Sequence, residues 1–145
     1  MIIHKATIDN LEGLIPLFDA YRRFYKQKSN LPKTREFLLE RLQQNDSVIF
    51  IAYIENKAIG FTQLYPLFSS VSMQRMYLLN DLYVSSKLRG KGIGKALINK
   101  AKQLAKVENQ KGIAIQTAYD NTAQELYKRL GFEPDTDLHF FWTNK

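Results

Sequence analysis

The stretch that most constrains this chain runs from Tyr77 to Leu97, YLLNDLYVSSKLRGKGIGKAL. Residues 77 to 84 are mostly apolar or aromatic, as a buried strand requires. A basic glycine-rich turn follows, Arg89-Gly90-Lys91-Gly92-Ile93-Gly94. Ile93, Leu97, Ala101, Leu104 and Ala105 then recur at helical spacing, so a helix with one apolar face starts near Gly92. A helix N-terminus leaves its first amides without intrahelical partners and carries partial positive charge. Glycines allow positive φ and close backbone approach, and Arg89, Lys91 and Lys95 add full charges at the same point. Such a turn suits a phosphate or a diphosphate.

Spacing decides which one. A Walker loop needs G-x-x-x-x-G-K-[ST] and a dinucleotide fingerprint needs G-x-G-x-x-G; glycines at 90, 92 and 94 satisfy neither. The turn does fit R-x-x-G-x-G, the pyrophosphate-binding signature of the GNAT family of N-acetyltransferases, and the chain resembles that family. A second stretch agrees: Asn121 to Phe132 reads N-x-A-x-x-L-Y-x-x-x-G-F, which resembles the other hallmark of the family. The resemblance covers essentially the whole chain, is strongest between residues 76 and 134, and is weakest before residue 45.

The remaining elements follow from local pattern. Residues 2 to 8 read as a first strand, and Asp9 is expected to cap a helix whose stripe is Leu11, Leu14, Ile15, Phe18, Tyr21 and Tyr25. Pro16 and Gly13 weaken its first turn. Ser29 to Thr34 reads as a loop, with Thr34 capping a second helix to about Gln44. Residues 47–54 and 57–65 form an antiparallel hairpin, and Pro66 to Ser72 a loop or strand end. After the central strand and its helix come a short strand at 112–117, a helix capped by Asn121 and ended by Gly131, and a closing strand at 138–143. The order β-α-α-β-β-β-α-β-α-β predicts an α/β fold, a central mixed sheet with helices on both faces. The GNAT fold has this same order.

Length and composition set the bounds. The 145 residues fit a single domain over 1–145, without repeats or linkers. There is no cysteine, so disulfides, thiolate metal sites and a cysteine nucleophile are excluded. The apolar segment at the N-terminus is too short for a signal peptide and no run reaches membrane-spanning length, so a cytoplasmic protein with no membrane partner is expected. His4 and His139 lack ligand-like neighbours, and no metal is expected. The net charge of +7 favours polyanions, coenzyme A and nucleic acid alike. No element carries a basic stripe with interleaved aromatics, which argues against nucleic acid as a partner.

Asn80 and Asp81 interrupt an otherwise apolar strand, either as a locally satisfied bulge or as the site itself. Family resemblance implies a bulge that splays this strand from the next, with acetyl-CoA in the gap. It implies main-chain contacts from Leu82, Tyr83 and Val84 to the pantetheine arm and thioester, and a pyrophosphate held by Arg89, Gly90, Lys91, Gly92, Ile93, Gly94 and Lys95. It further implies that Tyr127 gives its proton to the leaving thiolate and that Asn121 touches the cofactor. Asp81 is the candidate to orient or deprotonate the amine; in many relatives the acid sits one residue earlier, where this chain has Asn80. Tyr21, Tyr25, Gln63 and Tyr65, with Asn80 and Asp81, are candidates to line the acceptor cleft. FTQLYP and YLLNDLYV resemble the branch that includes histone- and polyamine-acetylating enzymes.

The expected activity is transfer from acetyl-CoA to a primary amine, on a small molecule, a polyamine or a peptide, by direct attack in a ternary complex. The competing reading is a non-catalytic CoA sensor, which would have no need of a proton donor at Tyr127. A homodimer is expected, because an uncovered sheet edge is a liability in a monomer.

Overall fold

The computed structural model describes residues 1–145, folded as a five-stranded sheet in the order β1-β2-β3-β4-β5 with helices on both faces. After β1 (Ile2–Lys5), Thr7 and Asn10 close a 3-10 turn reciprocally. The Asp9 amide donates to Thr7 Oγ1 at 3.3 Å, and the Thr7 amide donates to Asn10 Oδ1 at 2.9 Å. This pair, rather than Asp9, starts the chain into α1 (Leu11–Phe24). Asn30, rather than Thr34, caps α2 (Leu31–Gln44), accepting from the Lys33 amide at 3.1 Å. Pro32 is the reason: proline suits a first helical turn, so the helix begins ahead of it and Thr34 is buried inside.

β2 (Val48–Ile54), β3 (Lys57–Ser69) and β4 (Gln74–Val84) form an antiparallel meander. Of the two expectations for Pro66 to Ser72, a loop or a strand end, the first part is strand: β3 continues to Ser69, with Pro66 opposite Tyr77. Pairing with β2 has ended at Val48↔Leu64, so Pro66 stands where β3 has an open side and its missing N–H breaks no ladder. Then come α3 (Ile93–Val107), β5 (Ile113–Ile115) parallel to β4, and α4 (Gln124–Arg129). Gly131, at φ +91°, ends α4 in a Schellman arrangement: the Phe132 amide donates to the Tyr127 carbonyl and the Gly131 amide to that of Lys128, both at 3.0 Å.

The expected closing strand over 138–143 does not form, so the sheet has five strands and not six. A strand needs a partner edge, and β5 offers only three residues of one. Leu138, Phe140, Phe141 and Trp142 are 79–85% exposed in consequence. No helix is long and apolar enough to cross a membrane.

Two cores flank the sheet. Leu11, Leu14, Phe18 and Leu38 of α1 and α2 pack on Ile49, Ile51 and Phe61. Ile93, Leu97, Ile98 and Ala101 of α3 pack on Phe50, Ile59, Leu64 and Leu79 of the other face. Which face a β4 side chain meets is set by one residue. Gln63 pairs with Asp81 but Leu64 pairs with Leu79, so Asn80 is an extra residue, a β-bulge. Since side chains alternate with a period of two, this insertion reverses the parity of everything after it. Tyr77 and Leu79 face α3; Tyr83, beyond the bulge, packs against the α1/α2 core.

Candidate active site

The bulge has a second effect. β5 pairs with β4 only from Tyr77↔Ile113 to Leu79↔Ile115. From Asn80 onward the β5 side of β4 is unpaired, so Leu82, Tyr83 and Val84 lie on an open edge that leads to the glycine turn. At that turn Gly90 and Gly92 have φ of +79° and +83°, and a Cβ built on either would meet nothing within 4 Å. Glycine is therefore required there by backbone conformation and not by crowding. Gly92 caps α3, whose first amides point into the open turn, with Ile93 buried beneath as an anchor and Lys91 and Lys95 exposed at its rim. Residues 82–84 and 90–95 thus make a cradle of free amides, a geometry that suits an extended, diphosphate-bearing group.

Arg89 does a different job from the other cations. Its guanidinium lies over the rings of Phe24 (5.3 Å) and Tyr83 (5.4 Å), and its Nε donates to the Val84 carbonyl at 3.1 Å. It thereby ties the C-terminal end of α1 to the end of β4. Asn121 Oδ1 accepts from the Ala123 amide at 2.9 Å in the turn ahead of α4, so Asn121 shapes that turn, while the N-cap of the helix is Ala123 and not Asn121 as expected.

Asp81 stands on the far side of the bulge with only 4% of its surface exposed. Gln63 Nε2 donates to its Oδ2 at 2.6 Å and Asn80 Nδ2 to its Oδ1 at 3.1 Å. Tyr21 reaches down from α1, giving its hydroxyl to the Asn80 carbonyl at 3.3 Å and lying against the carboxyl as well. Burial pushes the Asp81 carboxyl above the usual carboxylate range, against the hydrogen bonds from Gln63, Tyr21 and Asn80. Burial and the same carboxylate raise the Tyr21 phenol, and push Tyr65 up to about 12. Both phenols stay protonated at neutral pH.

The other aromatics close one wall. Tyr21 meets Tyr25 edge-on at 5.1 Å and Tyr83 at 6.3 Å, and Tyr25 meets Phe24 at 5.3 Å. Tyr127, half-buried on α4 against Phe132, has its phenol raised by burial and by the nearby Tyr25. The structure gathers Tyr21, Tyr25, Tyr65, Asn80 and Asp81 as the sequence suggested. Gln63 is different: it is fully buried and is not part of the cleft lining, because both ends of its amide are engaged inside the sheet. Ser47, which holds the other end of that amide, carries no sequence signal and was missed. Phe24 and Arg89 as a stacked pair were missed too, since only the fold brings them together. His4 lies against Tyr53 on the β1 edge and His139 in the exposed C-terminal segment, both remote from this cluster.

An open strand edge thus runs into a helix-capping glycine turn, with a buried carboxyl at the bulge where that edge begins. The family model for the acetyltransferase (GNAT) family matches residues 14–132, and the chain belongs to that family. It is similar to an uncharacterized N-acetyltransferase, YhfO, of Bacillus subtilis (strain 168): 43% identical over 145 residues, covering 99% of this chain and 97% of that one. A thialysine N-ε-acetyltransferase of Caenorhabditis elegans is 30% identical over 111 residues, covering 77% of this chain and 67% of that one. The crystal structure of a probable acetyltransferase superposes with a TM-score of 0.93 at 36% identity, over 100% of this chain and 98% of that one. The protein is an acetyltransferase enzyme, and enzymes of this family use acetyl-CoA.

Proposed function

We propose that the chain acetylates a primary amine carried by a small molecule, a polyamine or the lysine or terminal amine of a peptide, by direct attack in a ternary complex. The observation that carries this reading is the Asp81 carboxyl, buried by the bulge on the acceptor side beneath an aromatic wall. A carboxylate with aromatic neighbours suits an alkylammonium group. Its raised pKa makes it a better proton acceptor than a solvated carboxylate, and the amine must lose a proton before it can attack. Acetyl-CoA supplies the activated acetyl group, held by the open edge at Leu82–Val84 and by the turn at Arg89–Lys95. Tyr127 keeps a proton at Oη for the departing thiolate, and its raised pKa ensures that the proton is present. The chain has no cysteine that could form a thiol acyl-enzyme, which agrees with direct transfer. The relative named for thialysine N-ε-acetylation supports a small aliphatic amine as acceptor.

Thiol release from acetyl-CoA, measured against polyamines, amino acids, aminoglycosides and lysine peptides, tests this directly. Turnover with one class names the acceptor. Tight acetyl-CoA binding with no turnover on any class would favour the sensor reading instead.

A homodimer belongs to the same reading. Four large apolar side chains between Leu138 and Trp142 stand in solvent, and the outer edge of β5 is uncovered. At roughly 150–250 Å² for each aromatic, covering them in two copies would bury an area in the range of stable interfaces. Light scattering should give about twice the 16.9 kDa chain mass, and deletion of residues 134–145 should give monomers. A monomeric full-length chain would overturn the dimer.

A further inference from the structure

Gln63 is an amide enclosed in the middle of a sheet, 0% exposed, in a row that otherwise carries core residues. Its two ends are engaged differently. Oε1 accepts from the Ser47 hydroxyl at 2.9 Å, and Nε2 donates to Asp81 Oδ2 at 2.6 Å. The amide cannot be reversed while Asp81 is ionised, because a carboxylate only accepts and would then face the amide oxygen. Ser47, just ahead of β2 and partly exposed, can donate or accept, so it follows whichever orientation the carboxylate dictates.

We propose that Gln63 is a positioning residue for acetyl transfer: through the Ser47–Gln63–Asp81 chain it fixes the rotamer of the Asp81 carboxyl and favours its charged form. The inference rests on the reading of Asp81 as the proton acceptor. Register is what makes it possible. The bulge at Asn80 reverses the parity of β4 and brings Asp81 opposite Gln63, on the face that carries α1. Without Gln63, the remaining partners are Asn80, on the exposed side of the bulge, and the Tyr21 hydroxyl, which also serves the Asn80 carbonyl. Asn80 reaches Oδ1, and Tyr21 comes from α1 above the sheet and not from within it. A carboxyl held only by those two would turn towards the cleft and protonate at higher pH.

The other groups that face Asp81 are few, which keeps the effect readable. Tyr21 of α1 and Tyr65 of β3 are the titratable neighbours, and both remain neutral phenols through the pH range of interest. The ionised pair beyond Tyr65 consists of Arg41 of α2 and Asp46, which also engage each other at 2.8 Å.

The experiment is a ¹³C NMR titration of Asp81 in aspartate-labelled protein, with the resonance assigned by its loss in Asp81→Asn, run beside the pH profile of kcat/KM. Gln63→Met keeps the volume and removes both amide groups. It should raise the Asp81 titration, and the acidic limb of kcat/KM with it, by about one pH unit, since a hydrogen bond to the charged form is lost. Ser47→Ala leaves Gln63 in place and should move both in the same direction by less. It is also the variant to use if Gln63→Met does not fold. Titrations in the folded variants that overlay the wild type would overturn the role of Gln63, whatever the turnover. Undiminished kcat/KM in Asp81→Asn would instead overturn the reading of Asp81, while the NMR titration would still decide whether Gln63 controls that carboxyl.

Discussion

At the glycine turn the geometry belongs to the backbone, whereas on the proposed acceptor side it belongs to side chains from α1, β3 and β4. Positive φ at Gly90 and Gly92, and free amides at the start of α3, are local properties, complete within six residues. The acceptor side needs Tyr21, Gln63 and Asp81, which are 42 and 18 residues apart in sequence and meet only through sheet register. The first region is therefore sensitive to anything that adds a Cβ, and the second to anything that changes a proton or a hydrogen bond. A substitution in one should leave the other's measurements intact, and that separation can be tested.

The largest effect is expected at Gly92. Gly92→Val places a β-branched side chain at φ +83°, in the space open to the ligand. Calorimetry should show acetyl-CoA binding lost in a protein that keeps its fold, and unchanged binding would refute the cradle. Next, Tyr127→Phe should lower kcat by about 100-fold or more while the acetyl-CoA Kd stays near wild type, in line with the usual size of acid catalysis. A mutant with full kcat would remove Tyr127 from the chemistry.

Asp81→Asn sharpens the comparison, because activity and stability should move in opposite directions. kcat/KM for the amine should fall by roughly 100-fold, again on the scale of acid–base catalysis. Stability should rise at pH 7. The folded-state pKa of Asp81 is raised, so no penalty exists below the unfolded value of about 3.9, and the penalty grows as pH climbs through the folded value. Thermal melts of mutant and wild type should therefore converge near pH 3 and separate towards pH 7; a gap that widened on acidification would contradict the sign. The smallest effect is expected at the rim. Tyr25→Ala should raise the amine KM by about fivefold, the scale of one exposed cation–π contact, with the acetyl-CoA Kd unmoved.

How much of this was legible in the sequence follows from the same division. The glycine turn is readable because Gly90 and Gly92 each answer a demand made by their own φ, and Gly131 was placed correctly for that reason. The stripe of α1 and the hairpin of β2 and β3 were readable from local pattern. Asn80–Asp81 stood out as polar residues inside a strand, but the sequence does not say which of the two is the inserted residue. That depends on pairing with Gln63 and Leu64, and with it goes the face on which Asp81 emerges. Gln63 looked like a cleft residue because a glutamine among aromatics usually faces water. The closing strand was the reverse case: LHFFWT has the composition of a strand, yet composition cannot supply the partner edge that a strand requires.

The open edge of β4 beyond Leu79 has a thermodynamic consequence. Amides that no strand covers are free to exchange with solvent, so residues 80–84 on that side should lose protection early in hydrogen exchange and regain it when acetyl-CoA is added. A ligand that binds only the folded chain adds RT ln(1 + [L]/Kd) to its stability, about 2.7 kcal/mol at a hundredfold excess over Kd. Such an enzyme would be most resistant to unfolding where its cosubstrate is abundant. Stripping acetyl-CoA during purification would yield a protein measurably softer than the one at work, with the difference concentrated on the strand where β4 and β5 part.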